Sequence, residues 1–140
     1  MNTTKSIMTT GVISVNANDP IRHVFQLMLD NSVSGVPVVN DEQRLVGLVS
    51  EYDLIGVLFG SNLVEATASD YMTPCPDMVS PNMSLADLAD LFLTSTRRRL
   101  PVVENDKLIG IVSRRDLVRV ALKQMDSILT TAGGDLSSVD

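Results

Sequence analysis

Val36-Pro-Val-Val39, followed by Leu45-Val-Gly-Leu-Val-Ser-Glu-Tyr-Asp-Leu54, occurs twice in this chain. Leu100-Pro-Val-Val103 repeats the first string 64 residues on, and Leu108-Ile-Gly-Ile-Val-Ser-Arg-Arg-Asp-Leu117 repeats the second 63 residues on. Nine positions are identical: Pro37, Val38, Val39, Leu45, Gly47, Val49, Ser50, Asp53 and Leu54. The other apolar positions exchange Val, Ile and Leu. One residue is missing from the second copy, in the turn between Val103 and Leu108. Further upstream, Met8-Thr9 recurs as Met72-Thr73, again at 64. The chain is a duplicated unit of about 50 residues.

Each copy reads in the same order. A short strand is expected over residues 12–15, with its counterpart near Met78-Val79. Asp19-Pro20 reads as a helix N-cap followed by a first-turn proline. Ile21, Val24, Phe25 and Met28 then fall on one helical face. In the second copy Ser84-Leu-Ala-Asp87 reads as a capping box, and Leu85, Leu88, Leu91 and Phe92 make the face. Two β-branched runs, residues 36–39 and 45–49, flank a polar turn and predict a hairpin. A second helix starts after Ser50 and after Ser113. The expectation is an α/β fold, β-α-β-β-α twice, with the copies packed sheet to sheet about a pseudo-twofold axis. The first repeat spans 7–59, the second 71–124, and 125–140 is a helix end and flexible tail. Together residues 1–140 form a single module.

Composition narrows the function. The 140 residues are 44% hydrophobic and 20% charged, the balance of a globular domain rather than a disordered chain. The lone Cys75 excludes an intrachain disulfide or a C-x-x-C metal pattern. The single His23 and the absence of tryptophan leave no His-rich site, and His23 reads as a surface or boundary residue. Cys75 has no identifiable base beside it, and the seven methionines read as core filler. A net charge of −6 argues against nucleic acid. The longest apolar stretches are too short to span a bilayer, and no apolar signal core is visible, so a soluble, cytoplasmic protein is expected.

The copies differ in charge. Val33-Ser34-Gly35 precedes the proline strand in copy one, and Arg97-Arg98-Arg99 in copy two. Glu51-Tyr52 follows the first serine, and Arg114-Arg115 the second. Residues 92–123 hold eight basic and three acidic groups, a local +5 that leaves −11 on the rest of the chain. Such a concentration suits an anion. A solvated basic face, or a partner for acidic copy one across an oligomer interface, would use the same residues.

The unit Met-Thr…Val-Pro-Val-Val…Leu-Val-Gly-Leu-Val-Ser-x-x-Asp-Leu resembles the cystathionine β-synthase (CBS) domain, and two in tandem resemble a stand-alone CBS pair. The resemblance runs from about Ile7 to Leu122 and leaves no room for a catalytic domain. It implies a regulatory module that binds an adenosine-type ligand (AMP, ADP, ATP, S-adenosylmethionine or a cyclic dinucleotide) in clefts between the repeats, with no cofactor required. Carried over, Asp53 and Asp116 would bond ribose hydroxyls, with Ser50 and Ser113 beside them. Val36, Pro37, Leu100 and Pro101 would border the adenine, and Arg98, Arg99 and Arg114 would hold phosphate. A carboxylate can accept from both hydroxyls of a diol. Ser-x-x-Asp ahead of an apolar run is also a capping box, and one residue can serve as both. The stronger site is expected on the copy-two side, with Asp116. Copy one, with Glu51 in place of a basic group, is expected to be empty, to take an uncharged moiety, or to draw on the arginines of copy two. A homodimer is implied, together with a regulated partner protein, and neither nucleic acid nor membrane. The competing reading is a dimerising interaction module without a ligand. No nucleophile is paired with a base, which disfavours an enzyme.

Overall fold

A computed structural model describes residues 2–60, 64–74 and 77–131. Cys75 and the end of the expected tail, residues 132–140, lie outside them. The helices are α1 (Thr4–Ile7), α2 (Ile21–Asn31), α3 (Glu51–Ile55), α4 (Ala68–Tyr71), α5 (Leu85–Thr94) and α6 (Arg114–Thr131). The strands are β1 (Val15–Asn16), β2 (Gly35–Val39), β3 (Leu45–Ser50), β4 (Thr73–Pro74), β5 (Arg99–Glu104) and β6 (Lys107–Ser113). A 3-10 turn, Gly56–Phe59, continues α3.

The two hairpins form where the apolar runs predict them. β2 pairs antiparallel with β3, and β5 with β6, each with one irregularity in register. The turn between β5 and β6 is Asn105-Asp106, both with positive φ (53° and 65°), the geometry that suits the twist of a two-residue hairpin. The longer first turn is organised by the Asn40 side chain, which accepts from the Glu42 and Arg44 N–H groups. The hairpin tips touch: Leu45 N–H donates to the Asp106 carbonyl and Leu108 N–H to that of Gln43, a pair of bonds related by the repeat.

The order β-α-β-β-α recurs, but the strand expected near Met78-Val79 is a single bridge at Val79 rather than a strand, and three further local corrections apply. The first strand is confined to Val15–Asn16, so residues 12–14 are not strand. Pro20, with ψ 139°, is the N-cap of α2 rather than its first turn. Asp19 instead closes the preceding turn, its carboxylate accepting from Asn16 N–H at 2.8 Å. At α5 the Ser84 hydroxyl accepts from Asp87 N–H at 3.1 Å, half of the expected capping box.

Each copy lends its leading segment to the other. The sheet of copy one runs β1-β2-β3-β4, and β4 comes from copy two. The β5-β6 hairpin is extended by an antiparallel bridge from Thr9 to Ile111 and a parallel bridge from Val79 to Val102. The exchange explains two glycines of the repeat. A Cβ on Gly47 would sit 2.6 Å from the Met72 Sδ, and one on Gly110 would sit 2.7 Å from the Met8 Sδ. Each methionine lies over the glycine of the other copy, so a side chain there would push the leading segments away. Buried Ala66 and Ala68 join the first core with Ile21, Val24, Val36, Val49 and Leu54. Ile7 and Met8 pack on the second core, around Leu88, Phe92, Leu100 and Val112.

Candidate functional site

Residues 34 and 98, 35 and 99, and 48 and 111 are equivalent in the repeat, and all six line one cleft of about 360 Å³. It straddles the relation between the copies and falls within the range of small-molecule sites, about 300–1,000 Å³. Ser50, Glu51 and Tyr52 enter it from the start of α3, and Arg97 and Pro101 from copy two. A second hollow of about 170 Å³ shares Gly35, Arg99 and Ile111 with it. Its remaining walls are Thr9, Gly11, Val12, Ile13, Val33, Val36 and Pro37, a mostly apolar set.

Ser50 is held by the local rules of a helix start. Its N–H and its hydroxyl both donate to the Asp53 Oδ2 at 2.9 Å, and the hydroxyl accepts from Asp53 N–H at 3.3 Å. Glu51 N–H donates to the Ser34 carbonyl, which ties α3 to the strand before Pro37. Ser113 and Asp116 make the same box, with contacts of 2.7, 3.0 and 3.3 Å, and Arg114 N–H donates to the Arg98 carbonyl. The capping role therefore holds at both serines.

The arginines divide. Arg97 is tethered, its Nε 3.6 Å from an Asp77 carboxylate oxygen. Arg98 and Arg99 are exposed and, among the described residues, have no ion pair. Both line the cleft that contains Ser50. Of the outcomes expected for copy one, the lining fits the one in which its cleft draws on the arginines of copy two. Arg114 points elsewhere: its Nη2 donates to the Ser95 carbonyl at 3.0 Å, and it lines a groove between α5 and α6 with Phe92, Leu93 and Leu117. Leu100 is fully buried in the second core. Asp116 is almost fully buried, with Arg119 Nη1 donating to its Oδ1 at 2.9 Å. An offset of 64 carries Gly11 and Val12 onto Cys75 and Pro76, so the pseudo-symmetric counterpart of the smaller hollow reaches outside the described residues.

Several lining residues were not singled out from sequence. Leu48 and Ile111 are the central aliphatic residues of the repeated Gly-x-Val strings. Strand alternation puts Leu48 on the face of Ser50, opposite buried Val49, which was readable in the period of two. Thr9 belongs to the repeated Met-Thr and Val12 and Ile13 to the expected first strand, but their place in the wall depends on the exchange of leading segments. Among the described residues no cluster of three or more His, Cys, Asp or Glu side chains could hold a metal. Nor is any helix among them long and apolar enough to cross a membrane.

Two α/β repeats with exchanged leading segments and a cleft between them define a paired-repeat class of fold. The sequence model of the CBS domain matches residues 5–60 and 68–123, and the chain belongs to the CBS domain family. The crystal structure of Arabidopsis thaliana CBSX2 in complex with AMP superimposes with a TM-score of 0.80 at 33% identity, covering 89% of this chain and 99% of that one. The CBS domain-containing protein YhcV of Bacillus subtilis is 32% identical over 99% of this chain and 96% of its own length. The Arabidopsis chloroplast protein CBSX1 is 32% identical over 78% of this chain, which spans only 58% of CBSX1.

Proposed function

We propose that this protein is a non-catalytic sensor of an adenine nucleotide, AMP, ADP or ATP, bound in the cleft that joins Ser50 to Arg98 and Arg99. The observation that carries the reading is that Arg98 and Arg99, without an ion pair among the described residues, line one cleft with Ser50 of the Ser50–Asp53 box. Guanidinium presents a planar fork that matches phosphate. In this reading Asp53 accepts the ribose hydroxyls. The base lies in the smaller hollow against Val36 and Pro37, and the phosphate meets Arg98 and Arg99. Pro101 closes the cleft from copy two. The AMP complex of CBSX2 supports the ligand class. A sulfonium such as that of S-adenosylmethionine is disfavoured here, since like charges repel.

Occupancy would alter how the repeats sit against each other, and a partner protein would read that change. We further propose a cytoplasmic homodimer. Exposed Val118, Leu122 and Met125 on α6 and Leu29, Ile55 and Leu58 around α3 are the apolar surface that a second copy would cover. The same surface favours the second reading, a dimerising module without a ligand.

Calorimetry separates the two. AMP should bind at least about tenfold more tightly than adenosine, the equivalent of one charge-assisted bond. Changing Arg98 and Arg99 together to Gln should lower AMP to the level of adenosine and leave adenosine unchanged. Equal binding of the two, insensitive to the arginines, would make the cluster an interface feature. Light scattering should give twice the 15.2 kDa chain mass at micromolar concentration. A monomer would remove the dimer.

A further inference from the structure

We propose that each chain takes one nucleotide, on the Asp53 side, and that Arg119 withholds the second carboxylate, Asp116, from a ribose diol. This rests on the nucleotide reading above and adds a stoichiometry and a residue that sets it. The two aspartates make the same box with their serines through Oδ2, but their other oxygens differ. Oδ1 of Asp53 has no partner among the described residues. Oδ1 of Asp116 accepts from Arg119 Nη1 at 2.9 Å, and the Asp116 side chain is only 10% exposed.

The repeat explains the difference. An offset of 63 places Arg119 on Gly56. Copy one has no side chain at the position from which copy two clamps its aspartate. A carboxylate with one oxygen in a capping box has only the other to offer a diol. For Asp53 that oxygen is available; for Asp116 a guanidinium must first be displaced. Loss of one charge-assisted bond weakens binding by about tenfold or more. Arg98 and Arg99 line the cleft of Ser50, the serine bonded to Asp53, so the candidate phosphate ligands lie on the Asp53 side rather than the Asp116 side.

The two positions can be exchanged by substitution. Gly56 has helical φ and ψ (−62°, −27°), and a Cβ there would meet nothing within 4 Å. Gly56→Arg should therefore be tolerated and should clamp Asp53 from three residues on. Arg119→Ala keeps α6 helical and frees Asp116.

The test is calorimetric titration of the full chain with AMP. The wild type should bind one AMP per chain. Asp53→Asn and Gly56→Arg should each weaken that event by about tenfold or more, and Asp116→Asn by less than about threefold. Arg119→Ala should raise the stoichiometry toward two, with the added event lost on combination with Asp116→Asn. Arg119→Lys, which keeps the charge, should stay at one. Melting curves identify any variant that fails to fold, and the two arms, Gly56→Arg and Arg119→Ala, do not depend on each other. Two AMP per wild-type chain would overturn this proposal and leave the nucleotide reading intact; one AMP that is lost with Asp116→Asn and kept with Asp53→Asn would overturn this proposal and the Ser50 cleft assignment with it. A stoichiometry unmoved by Arg119→Ala, with only thermal stability lowered, would make Arg119 a structural ion pair and overturn its role. No binding of AMP, ADP or ATP to the wild type would overturn both.

Discussion

Copy one and copy two share a backbone plan and divide the chemistry. Each has a leading segment, a helix, a hairpin and a helix capped by Ser-x-x-Asp, and even the contacts at the hairpin tips come in related pairs. Yet the short helix α3 follows Glu51-Tyr52 with Gly56, while the 18-residue α6 carries Arg114, Arg115 and Arg119. The cleft joins Ser50, from the serine–aspartate box of the first copy, to guanidinium groups of the second that have no ion pair among the described residues. Duplication built the frame, and divergence at a few cleft positions made the halves complementary. The exchanged leading segments mean that neither half completes its sheet by itself.

The largest effects should come from the cores, where the copies are most alike. Leu100 and Val36 occupy the same place, both fully or almost fully buried. Leu100→Ala should cost about 2–5 kcal/mol, and Val36→Ala less, because it removes fewer methyl groups. Urea denaturation measures both, and the reverse order would break the equivalence of the two cores.

The exchange of segments predicts a smaller effect with a sharper signature. Gly47→Ala and Gly110→Ala each put a methyl group under 3 Å from a methionine sulfur, with a backbone oxygen at 3.0 Å behind it. Overpacking of this kind costs about 1–3 kcal/mol. Met72→Ala should recover part of the Gly47→Ala loss, and Met8→Ala part of the Gly110→Ala loss, as contacting pairs do in a double-mutant cycle. Each glycine variant should melt in one transition, since each displaces a segment of the opposite copy. Two separated transitions would show that the halves unfold independently.

The repeat made most of the fold legible, because a duplicated Pro-Val-Val and Gly-x-Val-Ser pattern fixes strand length, turn position and helix start together. Misreadings occurred where local chemistry was ambiguous. Val12 and Ile13 are apolar as a strand would be, but they wall a hollow and join no strand, and Ile13 packs against the first core. Asp19 looked like a cap, but the extended ψ of Pro20 moved the helix start one residue on and gave the carboxylate to Asn16. Ser50, Arg98 and Arg99 were visible as candidates, while their shared cleft was only one of the outcomes left open for copy one. Which copy supplies which group depends on long-range packing, and no local pattern encodes that. The bond from Arg119 to Asp116 is within reach of an i, i+3 reading of α6, but the resemblance gives that aspartate to a ribose and the Ser-x-x-Asp pattern gives it to a cap, and neither points to Arg119.

The smallest effect sharpens the comparison most finely. Ser50→Ala and Ser113→Ala remove equivalent hydroxyls, each accepting from an aspartate N–H at 3.3 Å and donating to the same aspartate at 2.9 or 3.0 Å. As caps they should be worth the same, about 1 kcal/mol of stability in the ligand-free protein. They should differ once AMP is present. Ser50 lines the cleft with Arg98 and Arg99, so Ser50→Ala loses part of the nucleotide's stabilising effect as well as the cap. Ser113 sits beside an aspartate already engaged by Arg119, so Ser113→Ala should lose the cap alone. Melting with and without saturating AMP separates the two contributions, because a ligand raises stability only through the state it binds. A matching loss in ligand-free protein with an unequal loss in the AMP-bound form is the expected pattern. Equal losses in both would mean that Ser50 is a helix cap and nothing more.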